Sequence, residues 1–458
     1  VKSLFKEITH DAGKTIEQWS NRDLLQARIV LWTGAIVVGV VSAAFAVVCH
    51  WASDWNRDLV EGRSWMPFVL LPLGFLGIRI VTKVVAPAAP GSGIPQAIAA
   101  LEAKSPGVKG QLLSFPTAIA KFALTAIGHL VGASIGREGP TVHIGSSLLY
   151  QMGRFAKFHK TEIEKGLIVA GGAAGISAAF NTPLAGIVFA IEELARRFEE
   201  RISYVTLVTV VIAALVSMLL LGDYSHFGTS VVTVPWEDAA KLAVVVGAAG
   251  GILGGLFSKL LLFFRSIIAQ YNYKNTLWVT ALCGLIVAAT GYFSNGFALG
   301  TGYTQTFSIL AGETTDLPSH VPFLKMAATL ASYLSGIPGG IFAPALATGA
   351  SIGQVMSQSF LDLVGPAAAI LGMAAYLTGV VQTPITSFVI VAEMVNDQSM
   401  IVPLMISSIV SLVFSKMVCP QPFYKTLSLI YLHRYEPPEP KPEESKKETA
   451  KPMVPPPN

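Results

Sequence analysis

Long apolar runs separated by short polar breaks dominate the chain. Residues 28–52 form a run long enough to cross about 30 Å of hydrocarbon as a helix. The runs 66–86, 202–221, 239–264, 276–292 and 400–418 have the same reach. Between them lie apolar stretches at 115–135, 140–153, 166–180, 183–195, 341–357, 365–379 and 384–394, each cut by Gly, Pro or both. Irregular backbone at membrane depth survives only where it is buried in protein or lines a polar cavity. Broken helices are also what secondary transporters use to build a site near the bilayer midplane. The pattern therefore predicts an all-α polytopic membrane protein of spanning and interrupted helices. Residues 1–27 read differently. Leu4, Phe5, Ile8, Ile16 and Trp19 alternate with Lys2, Lys6, Lys14 and Arg22, as in a cytoplasmic amphipathic helix. Residues 431–458, dense in proline and mixed charge, read as a disordered cytoplasmic tail.

The interrupted stretches repeat. GGAAGISAAFNTP at 171–183 aligns without gaps to GMAAYLTGVVQTP at 372–384. Nine residues past each terminal proline stands a glutamate, Glu192 and Glu393. Upstream, GREGPTVHIG (136–145) and GIFAPALATG (340–349) share the pattern GxxxPxxxxG. Two matches in the same order at similar spacing mark a duplication, with halves at roughly 28–221 and 239–430. Transporter repeats are often inverted.

Composition narrows the class. Hydrophobic residues make up 52% of the 458 and charged residues 13%, against about 25% charged in an average soluble domain. That argues against a soluble enzyme or a nucleic-acid binder. The balance of 32 Lys+Arg against 28 Asp+Glu is too even for a polyanion partner. Cys49, Cys283 and Cys419 are scattered, and the histidines show no HExxH, so neither a metal site nor a cofactor is implied.

Three glycine-rich loops, PGSGIP (90–95), GREGP (136–140) and GGIFAP (339–344), each end in a proline suited to the first turn of a helix. Helix N-termini offer free N–H donors and a partial positive charge. Several of them aimed at one point would hold an anion without a fixed cation that binds too tightly for release. Glu138, inside an apolar region, is a functional candidate because an intramembrane carboxylate is costly. Ionised, it mimics the anion; protonated, it is neutral and can swing away. The bland alternative is an Arg137–Glu138 ion pair. Glu192 and Glu193, beside Arg196 and Arg197, read either as a solvated helix end or as a proton acceptor on the cytoplasmic side. Glu393 and Asp397 read as structural, Arg79, Lys83 and Lys121 as snorkelling cations, and His143 as a residue that could add pH sensitivity.

With PGSGIP, GREGP and GGIFAP in that order, residues 28–430 resemble the CLC family of chloride channels and chloride/proton antiporters. The resemblance implies two inverted repeats of tilted, broken helices. It also implies a homodimer in the lipid bilayer of the cell inner (plasma) membrane, with both termini cytoplasmic and a pore in each subunit. Chloride and protons would be the partners. Ser92 would offer its hydroxyl to the anion, Ile341 and Phe342 their backbone N–H groups, and Tyr424 a second hydroxyl, ahead of Tyr431 and Tyr435. Glu138 would be the external gating glutamate, with the backbone of Arg137 and Gly139 near the outer anion position. Glu193, the second carboxylate of an EE pair, matches the internal proton glutamate of bacterial antiporters, where family channels usually carry an apolar residue. Serine at 92 points to chloride, since nitrate-preferring relatives tend to carry proline there. His143 departs from the glutamine common at its position. The alternative in the same family is a passive chloride channel gated by voltage or pH. An intramembrane hydrolase is disfavoured, because no histidine or aspartate pair is placed at membrane depth to activate the serines of GASIG or GTS.

Overall fold

A segment in hydrocarbon must satisfy its own backbone N–H and C=O groups, so the apolar runs fold as helices. The computed structural model describes residues 22–157, 161–195, 204–222, 227, 234–358 and 365–436. The first half holds α1 (Arg22–Val60), α2 (Pro67–Val85), α3 (Ile94–Glu102), α4 (Pro106–Leu112), α5 (Phe115–Leu130) and α6 (Glu138–Phe155). It continues through α7 (Thr161–Phe180), α8 (Pro183–Phe189), a π-helical turn (Ala190–Ala195) and α9 (Tyr204–Leu221). The second half holds α10 (Trp236–Ile268), α11 (Tyr273–Phe293), α12 (Tyr303–Leu310), α13 (Val321–Leu334) and α14 (Phe342–Met356). Then come α15 (Gly365–Val381), α16 (Pro384–Val395), α17 (Ile401–Val418) and α18 (Phe423–Tyr435).

Among the described residues, seven helical stretches are long and apolar enough to cross a membrane. One of them, Ile163–Phe180, corrects the sequence reading, which put 166–180 among the broken runs; Pro106–Leu130 remains two helices, α4 and α5, parted at Leu113 and Ser114. Gly171 does not interrupt α7; it lets α7 touch α6. A Cβ on Gly171 would lie 2.3 Å from the Gly145 carbonyl oxygen, and one on Gly145 would lie 2.2 Å from that of Gly171. The run at 202–221 is helical from Tyr204 and counts among the shorter apolar helices.

Two boundaries move outward. Residues 22–27 continue α1 upstream of the expected start at 28; residues 1–21, with most of the amphipathic segment, lie outside the described residues. At the other end α18 runs to Tyr435, past the tail boundary drawn at 431. Tyr431 is buried and donates its hydroxyl to the Pro90 carbonyl at 2.8 Å. The Glu436 carboxylate accepts from the amides of Lys104 and Ser105 at 3.1 Å each. Residues 437–458 lie outside the described residues.

The duplication is visible in the backbone. Gly349 and Gly372 bring α14 against α15 as Gly145 and Gly171 bring α6 against α7; a Cβ on either would meet the other's carbonyl oxygen at 2.3 or 2.2 Å. Asn181 and Gln382, equivalent in the repeat, share a left-handed φ of 59° and 60°. Gly136 and Gly340, also equivalent, exchange both backbone hydrogen bonds at 2.8 and 2.7 Å in an antiparallel bridge. Equivalent residues that exchange both bonds across opposed chain directions flank a two-fold axis between the repeats. The glutamates nine residues past each Thr-Pro repeat the exchange. Glu192 accepts from the amides of Ile385 and Thr386 (3.2 and 2.6 Å), and Glu393 from those of Leu184 and Ala185 (3.1 and 2.7 Å). Each carboxylate thus caps the N-terminus of the other half's proline-started helix, satisfying amides that have no partner within it.

Candidate functional site

The loop before α3 is arranged by its carbonyl oxygens. Gln96 donates its amide nitrogen to the Ala88 and Pro90 carbonyls at 3.1 and 2.7 Å. The Lys121 ammonium donates to Ala89 and Gly91 at 2.8 and 3.0 Å. Tyr431 also holds Pro90, and the Gly339 amide holds Gly91 at 3.2 Å. Four successive carbonyls are thereby occupied by donors. The Ser92 hydroxyl, by contrast, is buried and makes no hydrogen bond of good geometry among the described residues. The same holds for the hydroxyl of Tyr424, which lies within reach of it. The approach of α6 to this loop requires glycine: a Cβ on Gly139 would fall 2.1 Å from the Ser92 hydroxyl oxygen.

The second loop carries Glu138 to the same place. Its Oε2 accepts from the Ala343 amide at 3.4 Å, so the carboxylate sits at the N-terminus of α14. Ile341 and Phe342, both 1% exposed, begin that helix, whose first N–H groups have no partner within it. Phe342 forms an aromatic wall, stacked on Tyr424 with ring centroids 6.1 Å apart at 11° and packed against Phe180 and Phe189. The Arg137 guanidinium reaches the Ala179 carbonyl at 3.5 Å, and among the described residues no ion pair joins it to Glu138. The third loop supplies Gly340, bound to Gly136 as described.

Glu193 is buried at 1% exposure on the π-helical turn that follows α8. A π turn shifts side-chain directions relative to an α-helix and recurs at functional positions. Here adjacent carboxylates part company: Glu192 goes to α16 and Glu193 into the interior. Both Glu138 and Glu193 lie within electrostatic reach of the Tyr424 hydroxyl. The sequence-nominated residues Ser92, Glu138, Gly139, Ile341, Phe342 and Tyr424 therefore surround one region, and Glu193 stands within electrostatic reach of its tyrosine. Arg196 and Arg197 lie outside the described residues.

Lys121 and Arg79 do not snorkel. Lys121 is fully buried on loop carbonyls, and Arg79 donates to the Gly336 carbonyl at 3.3 Å. Carbonyl-rich loop ends inside the protein offer these two cations partners that lipid-facing positions would not. Lys83 is exposed in the last turn of α2, its ammonium 3.2 Å from the centre of the Tyr273 ring. His143 is buried with its Nε2 on the Leu112 carbonyl at 2.9 Å. Sequence reasoning missed Gln96 as a loop clamp. Its one signal was a lone polar residue in the apolar run IPQAIAAL.

Inverted repeats of broken helices, with helix N-termini, buried hydroxyls and a carboxylate meeting between them, define the CLC architecture of membrane transport proteins. Residues 73–416 match the family described as voltage gated chloride channel, and the chain belongs to that family. It is similar to the H(+)/Cl(-) exchange transporter ClcA of Vibrio cholerae serotype O1 (strain M66-2), 29% identical over 438 residues and 87% of each chain. ClcA of Cronobacter sakazakii is 29% identical over 437 residues, 90% of this chain and 91% of that one. Among solved structures, a slow cyanobacterial Cl-/H+ antiporter superposes with a TM-score of 0.74 at 25% identity, covering 89% of this chain and 98% of that one.

Proposed function

We propose that the protein exchanges chloride for protons across a bacterial inner membrane, as a multi-pass homodimer with both termini in the cytoplasm. The position of Glu138 carries this reading. Its carboxylate takes a backbone donor at the start of α14, beside the Ser92 and Tyr424 hydroxyls, where a small anion would find the same donors. Ionised, Glu138 competes with chloride for that place. Protonated, it gives up its claim on the amide, and chloride enters as the neutral side chain turns outward. One side chain so makes proton binding and chloride binding alternate. Ser92, Tyr424, the amides of Ile341 and Phe342 and the backbone of Arg137 and Gly139 hold the anion. Glu193 passes protons between the cytoplasm and Glu138. Its burial within electrostatic reach of the same tyrosine supports that role, as do the exchange transporters among the relatives.

The test uses purified protein in chloride-loaded liposomes diluted into low chloride, with external pH recorded. Exchange drives protons uphill into the vesicles as chloride leaves. In Glu193→Gln the proton movement is lost while chloride flux persists. Chloride efflux with no proton movement in the unaltered protein overturns exchange and leaves a passive channel.

A further inference from the structure

We infer that Tyr431 and Gln96 are positioning residues that set anion selectivity, by jointly gripping the Pro90 carbonyl and so fixing the gap between the Ser92 loop and the helix that carries Tyr424. This rests on the reading that the Ser92–Tyr424 region holds the anion.

Pro90 stands two residues before Ser92 and takes two donors at once, Gln96 at 2.7 Å and Tyr431 at 2.8 Å. They come from different elements. Gln96 belongs to α3, which the loop itself begins; Tyr431 belongs to α18. Among the described hydrogen bonds to carbonyls 88–91, the one from Tyr431 alone comes from α18. Tyr424 lies seven residues earlier on the same helix, two turns away on the same face. The Tyr431 bond therefore ties the loop of one hydroxyl to the helix of the other. Glu436 ties the far end of α18 to the amides of Lys104 and Ser105 just beyond α3. The helix is held at both ends of the element that the loop opens.

Neither Tyr431 nor Gln96 carries a charge, so neither adds a net charge to the field that draws anions in. They act on geometry and on dipole direction. A Pro90 carbonyl released from both donors is free to turn its negative end toward the anion, and the loop is free to move from Tyr424. A site with a fixed gap discriminates between anions of different size; a loosened one does so less.

The experiment measures chloride binding by calorimetry, and chloride, nitrate and thiocyanate flux in liposomes, for the unaltered protein, Tyr431→Phe, Gln96→Met and the double variant. Tyr431→Phe weakens chloride binding about fivefold, the scale of one neutral hydrogen bond. It also raises thiocyanate flux relative to chloride by about threefold, on the same scale. Gln96→Met moves both readouts in the same direction. The double variant departs from the product of the single effects, because both donors act on one carbonyl. A lower unfolding temperature with unchanged flux ratios in both single variants makes the pair merely structural and overturns the inference. Multiplicative effects in the double variant overturn the shared grip. Absence of chloride binding and flux in the unaltered protein instead overturns the function proposed above, and this inference with it.

Discussion

Gly91-Ser92-Gly93 in the first half and Gly300-Thr301-Gly302 in the second are counterparts, and they have been put to different use. Both turns end in a left-handed glycine, Gly93 at φ 105° and Gly302 at 83°, that begins a short helix. Beneath each lies a fully buried lysine. Lys121 holds two carbonyls of the first loop; Lys325 holds those of Ala298, Leu299 and Gly300 at 3.1, 3.2 and 2.7 Å. Thr301, however, accepts from the Tyr303 amide at 3.2 Å, so the second turn uses its hydroxyl on its own helix end. Ser92 caps no amide of its helix and presents its hydroxyl to the neighbouring elements. The same divergence separates Glu138 from its counterpart Phe342. The frame is symmetric because glycine crossings, left-handed turns and reciprocal caps are needed twice. The site is asymmetric because a carboxylate from one half must meet a helix N-terminus and an aromatic wall from the other.

Breaking the shared frame has the largest effect. Gly145→Val and Gly349→Val each force a side chain into a backbone carbonyl, and overpacking of this kind costs about 3 kcal/mol or more. Both variants fail to yield folded protein in detergent by size-exclusion chromatography, and to a similar extent. A well-folded Gly349→Val would break the equivalence of the halves. The crossed caps come next. Glu192→Ala and Glu393→Ala each lower stability by about 1–2 kcal/mol, as loss of a charged cap does, read as shifts in thermal unfolding. Unequal shifts would show that one carboxylate has a duty beyond capping. The smallest pair sharpens the contrast between the turns. Ser92→Ala weakens chloride binding by about tenfold with little change in stability, the lower end of the scale of one hydrogen bond to a charged ligand. Thr301→Ala leaves chloride binding unchanged and costs about 1 kcal/mol of stability as a lost cap. Calorimetry and thermal unfolding on the same two variants separate these outcomes.

Much of this was legible in the chain. Apolar length gave the helices within a few residues at most ends, as α2, α11 and α17 show, because a spanning segment has to bury its backbone within itself. The duplicated Thr-Pro and GxxxPxxxxG patterns gave the two halves, and the three glycine loops gave most of the residues around the candidate site. Glycine misled where it served packing. In α7 it reads as a break in one dimension but is the contact point of a continuous helix in three. Lys121 misled for a related reason, since its partners are carbonyls about 30 positions away along the chain.

By itself the sequence determined what depends on neighbours along the chain: helix extent, loop chemistry, the repeat and the class of protein they belong to. The tertiary structure alone decided what depends on partners far apart in sequence. Glu138 meets an amide 205 positions on, the crossed caps span 193 to 209 positions, and Tyr431 grips a carbonyl 341 positions back. A hydrogen bond acts over about 3 Å whatever the separation along the chain, so local pattern carries no record of such pairs and packing assigns them.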